Sequence, residues 1–169
     1  MASFDFIAER NVQDAQQEFI RKFVHAKHDI VSFVGQRLGW NSTGDFLGYF
    51  KGSFNLSLAV CNPETYERVL IRFPFPGKVY EPWREKKVKQ EVMVLRYLLE
   101  HTSIPVPRVR DWGLGEESPG LLGPFMIEDF MEGENLGDVL KKPIPVAAFF
   151  PTAQLAQTGE DLTAEYEGK

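Results

Sequence analysis

One cysteine, Cys61, is all the thiol this chain carries, so no internal disulfide can form and cysteine-built metal sites are excluded. No apolar run reaches the ~18–20 residues that a bilayer-spanning helix needs. The N-terminus, Met1-Ala2-Ser3-Phe4-Asp5-Phe6, lacks the basic stretch and apolar core of a secretory signal. An excess of positive charge is missing too. Lys and Arg total 19 against 24 Asp and Glu, a formal charge of −5, which supplies no long-range attraction for nucleic acid or an anionic membrane. Two glycosylation sequons, at Asn41 and Asn55, have no secretory context and read as chance matches. These absences predict a cytoplasmic protein whose partners include neither nucleic acid nor a membrane.

What is present suits a packed core. The chain has 169 residues, 43% of them hydrophobic, with 14 phenylalanines, enough for one domain or one domain with a tail. Between Asn11 and Leu38 there is no proline, and Ala15, Phe19, Phe23, Ala26, Ile30, Phe33 and Val34 recur at helical spacing. One long helix or two shorter ones are expected there, stopped by Gly39. Asp45–Phe50 and Leu56–Val60 then read as strands joined by a glycine-containing turn, a β-hairpin. Arg68–Phe73 makes a third strand, ended by Pro74, Pro76 and Gly77. Glu85–His101 is the clearest helix, with Val88, Val92, Leu95, Leu98 and Leu99 as its apolar stripe. After the prolines of Ile104-Pro105-Val106-Pro107, Val109–Leu114 and Pro124–Met131 give two more strands, and Leu136–Leu140 a short helix. The reading is an α+β fold: residues 1–40 a helical segment, 41–140 a five-stranded antiparallel sheet with one packed helix, and 141–169 a poorly ordered, acidic tail.

The chemistry-bearing residues fall at particular places on this plan. Gly52-Ser53-Phe54-Asn55 forms the first turn, where a glycine lets backbone amides approach phosphate oxygens; a plain hairpin turn explains it as well. Arg72 near the end of the third strand and Glu91 within the following helix suit a phosphate-holding cation and its carboxylate partner. The plainer alternatives are a strand-surface arginine, and a glutamate serving Lys87 four residues away. This order of elements resembles the plan of a kinase N-lobe, and Phe125–Gly133 is similar to its strand-and-hinge passage, which implies that the Glu128 carbonyl and Phe130 amide face the edge of a purine. Glu134 reaches a ribose hydroxyl or caps the next helix.

Taken in order, Gly52-Ser53-Phe54-Asn55, Val69–Pro74, Lys87-Val88 through Glu91-Val92, Thr102–Pro107 and Gly123–Glu128 make the chain resemble the aminoglycoside phosphotransferase family, in particular its fungal branch. The resemblance covers roughly residues 40 to 140 and corresponds to the N-lobe of a protein-kinase-like fold. It implies binding of ATP or GTP and phosphoryl transfer to a hydroxyl of a small molecule, the acceptor unidentified. A protein-substrate kinase is less well supported, because the triple-glycine loop of that class is absent.

The same resemblance implies a catalytic Asp in a His-Gly-Asp loop and a later metal-binding Asp, both on a second lobe, with magnesium held there. No histidine follows His101, and neither Asp138 nor Asp161 sits in such a loop. His28-Asp29 precedes the sheet and reads as a helix-surface pair. The sequence therefore predicts a phosphotransferase N-lobe, truncated and catalytically incomplete as it stands. A non-enzymatic interaction module and a non-functional truncated gene product are the alternatives.

Overall fold

The computed structural model describes residues 6–134 and 136–141. The chain divides into two compact units, Met1–Met131 and Glu132–Lys169. The first holds helices α1 (Phe6–His25) and α2 (Lys27–Arg37), strands β1 (Asp45–Lys51), β2 (Asn55–Cys61) and β3 (Arg68–Pro74), helix α3 (Arg84–His101), and strands β4 (Val109–Gly113) and β5 (Phe125–Asp129). Of the second, the described part is residues 132–134 and helix α4 (Leu136–Lys141). The predicted tail lies outside the described residues from 142 onward. No helix among the described residues is long and apolar enough to cross a membrane.

The five strands form one antiparallel sheet in the order β1-β2-β3-β5-β4. Because side chains alternate across a strand, β5 serves two layers at once. Phe125 and Ile127 join the larger core with α1, α2 and the inward residues of β2 and β3, among them Leu58, Val69, Ile71 and Phe73. Met126 points the other way and meets Val88 and Val92 of α3 together with Val109. The expected architecture, a five-stranded sheet with one helix on a face and helices before it, is the one observed. The N-terminal helices close the opposite face of the sheet, burying Phe19 and Phe23 against the strands that follow.

Phe23 is the centre of that closure. It is fully buried, with its ring 5.6 Å from that of Phe73 at 81° and 5.8 Å from that of Tyr49, the edge-on and tilted arrangements aromatic quadrupoles favour. Phe19 meets Phe75 in the same way at 5.9 Å. Two predicted stripe residues stay in solvent. Ala15 is exposed, since the buried face of α1 starts at Phe19; Leu99 is exposed because the cluster under α3 ends at Leu95. The glycine stop is a full cap: Gly39 adopts φ +68°, its amide donates to the Gln36 carbonyl, and that of Trp40 donates to Gly35. This paired closure satisfies two of the carbonyls left over at a helix end.

One buried cation fixes α3 on the sheet. Arg84, at the start of the helix, donates to the Pro74 carbonyl at 2.8 Å and to that of Leu122 at 3.3 Å, and pairs with Glu81 at 2.7 Å. Gly123 lies directly over it with φ +100°, and a Cβ there would come within 2.7 Å of the guanidinium.

Two stability predictions follow from this packing. Phe23→Ala should cost about 3–5 kcal/mol, measured by urea denaturation of the purified chain. Gly123→Ala combines a forbidding φ with a contact on a buried charge and should cost roughly 1–3 kcal/mol; a loss within error of zero would show that neither the backbone conformation nor the Arg84 contact demands glycine there.

Candidate functional site

Between α3 and the sheet lies a groove of about 460 Å³, lined by Arg72, Lys87, Gln90, Glu91, Val94, Leu95, Pro107 and Glu128. That volume is within the range of small-molecule sites. The register produces it. Arg72 pairs with Ser57 on one side and Met126 on the other, so all three side chains share the face that α3 covers. Glu128 is two residues along β5 from Met126 and shares that face. On α3, Lys87 and Glu91 stand one turn apart and project into the same space.

The charges alternate. Lys87 Nζ sits 2.5 Å from Glu91 Oε1, Glu91 Oε2 accepts from the Arg72 guanidinium at 3.3 Å, and a second guanidinium nitrogen lies 3.5 Å from Glu128 Oε1. The predicted Arg72–Glu91 pair thus forms, and the plainer reading of Glu91 as the partner of Lys87 holds alongside it. Glu128 is 4% exposed, and its Oε2 is buried with no hydrogen-bond donor among the described residues. Burial pushes its carboxyl above the ordinary value; Arg72 opposes the shift, while Glu91 and Asp129 add to it.

The other predicted site residues are placed differently. None of Gly52, Ser53, Phe54 and Asn55 lines the groove. The Gly52 amide donates to the Asn55 carbonyl at 2.9 Å, closing the turn on itself. The Phe54 carbonyl accepts from Phe75, and its ring is exposed. A Cβ at Gly52 would meet the Asn55 oxygen at an ordinary 3.5 Å, so the fold itself makes no demand for glycine there. Glu134 belongs to the second unit.

The purine-facing assignment is corrected. The Phe130 amide donates to the Arg68 carbonyl at 3.1 Å, extending the β3–β5 ladder. Hydrogen-bonded pairs alternate along an antiparallel ladder, so Leu70 and Glu128, two residues on, are in the same phase and the Glu128 carbonyl faces β3. Both groups are therefore spent within the sheet. Glu128 enters the groove through its side chain, a role the sequence reading did not assign. Gln90 and Pro107 were also missed as lining residues, since nothing in their spacing distinguishes them from solvent-facing positions. The ring of Phe130 lies 5.6 Å from that of Phe50, with Arg68 5.8 Å over its face.

The Glu128 carboxyl has a consequence for stability. A carboxyl whose value is raised by folding contributes stability fully below the ordinary carboxylate range and loses it as pH rises through the raised value. Thermal melts from about pH 4 to about pH 8 should show the native chain losing stability relative to Glu128→Gln as pH rises. Parallel curves would mean that Glu128 titrates as it does in the unfolded chain.

Comparison with known proteins shows a partial likeness. The chain is 34% identical over 90 residues to a protein named serine/threonine-protein kinase A from Synechocystis sp.; the match takes in 51% of this chain and 16% of that protein. The chain thus spans about a sixth of the length of this relative. No protein-family model matches, and no solved structure does either. The likeness is to a kinase, as the order of elements implies. The relative is named for the protein-kinase class, not for the aminoglycoside phosphotransferase branch expected from the motifs.

Proposed function

We propose that Met1–Met131 is the nucleotide-binding half of a kinase-like phosphotransferase, taking ATP or GTP with its phosphates toward Arg72. The observation that carries this is the Arg72–Glu91 ion pair, which joins the central strand to the packed helix at the mouth of a ligand-sized groove. A cation on β3 held by a helix carboxylate is how this class of fold positions phosphates. In this proposal the phosphates lie at Arg72 and the base beyond Asp129, whose amide is bonded to the Arg108 carbonyl; the Gly52–Asn55 turn does not line the groove. Among the described residues no three carboxylate, imidazole or thiolate groups converge as a metal site would require. Magnesium in this proposal would be held by groups outside the described residues.

The acceptor we infer is a hydroxyl of a small molecule, on the motif resemblance. A protein substrate is the second reading, favoured by the name of the partial relative. Both use the same nucleotide half, so nucleotide binding is the first thing to test.

Amide chemical-shift titration with ATP and with GTP, with and without magnesium, should perturb residues around Arg72, Glu91 and Asp129. Arg72→Ala removes charge-assisted hydrogen bonds worth about 1.5–3 kcal/mol and should weaken binding roughly tenfold to a hundredfold. An absence of shifts at millimolar nucleotide would remove the reading for this chain.

A further inference from the structure

Arg72 is divided between two carboxylates. Its contacts to Glu91 and Glu128, at 3.3 and 3.5 Å, are both longer than the ~2.7–2.9 Å of a well-made charge-assisted hydrogen bond. The guanidinium is gripped firmly by neither. Glu91 has a second cation in Lys87, at 2.5 Å, whereas Arg72 is the cation facing Glu128. The groove as built is electrically balanced, with Arg72 and Lys87 against Glu91 and Glu128. A phosphate arriving at Arg72 adds negative charge beside both carboxylates, and Glu128, the buried one, feels it with the least solvent screening.

We propose that Glu128 is a proton-coupled competitor for Arg72: the phosphate of a bound nucleotide takes the guanidinium as Glu128 releases it and takes up a proton from solvent. The inference rests on the nucleotide-binding reading and adds a determinant of that same site. Protonation of Glu128 restores the charge balance that the phosphate disturbs. The carboxylate is also the member of the cluster least suited to staying ionised, being 4% exposed with one oxygen lacking a donor. The groups acting on it come from every side of the groove. Arg72 on β3 draws it toward the ionised form. Glu91 on α3, itself held by Lys87, and Asp129 on β5, paired with Arg110 of β4, draw it toward the neutral form. Its side chain sits one residue before the strand end at Asp129 and faces Arg72.

The consequence is a site whose affinity for phosphate-bearing ligands rises as pH falls. The test is a shift titration of the chain with ATP and, separately, with adenosine, between about pH 6 and about pH 8. The native chain should lose about tenfold in ATP affinity across that range beyond any loss shown by Glu128→Gln, a comparison that cancels the titration of ATP itself. Adenosine, with no phosphate, should show no such difference. In parallel, the carboxyl-carbon shift of Glu128 in the native chain should report a midpoint that moves upward when ATP is bound. This measurement decides the matter should the variant fail to fold. Equal pH dependence in native and variant chains, or a Glu128 midpoint unmoved by ATP, overturns the inference while leaving nucleotide binding intact. Failure of both chains to bind ATP overturns the inference and the nucleotide reading together.

Discussion

The alternation of side chains along β5 is the constraint on which the molecule depends. The segment Phe125-Met126-Ile127-Glu128 is buried throughout, and each residue is claimed by a different layer from its neighbour. Two aromatic and aliphatic residues close the core under α1 and α2. Met126 seats α3, and Glu128 reaches past it to Arg72. A slip of one residue in this strand would send the carboxylate into the aromatic core and a phenylalanine into the groove. The position of the site and the integrity of the fold are therefore set by the same register.

That register explains why the groove carries so many charges while remaining part of a packed domain. Isolated ions buried in protein are unfavourable unless paired. Here each is met by an opposite one in a line from Lys87 to Glu128. The line crosses three elements, α3, β3 and β5, so it also reports on their relative placement. Its one imperfection is the unsatisfied oxygen of Glu128. Buried polar groups without a protein partner are uncommon in native proteins, and strain, function or an ordered water accounts for those that occur.

The elements were readable because each is punctuated by chemistry that acts locally. Prolines after β3 and α3, the glycine cap after α2, and the apolar stripe of Val88 and Val92 all speak through near neighbours in sequence. The Arg72–Glu91 pair was accessible because one sits on a strand and the other on the helix that follows it. What escaped depends on register between distant segments. Whether the Phe130 amide is free is decided by Arg68, and whether the Glu128 side chain points at the groove is decided by the phase of the β3–β5 ladder. A single-sequence reading places strands but not their phase. It consequently assigned Glu128 by its backbone carbonyl, whereas the structure brings its side chain to the groove.

Arg84 has a mechanical meaning as well as a structural one. Its guanidinium ties the first turn of α3 to the end of β3 and to the segment entering β5, whereas the far end of the helix at His101 carries exposed side chains and no comparable tie to the sheet among the described residues. The helix is thus pinned at its first turn: of the groove's lining residues on α3, Lys87 and Glu91 lie within two turns of Arg84, and Val94 and Leu95 lie farther along.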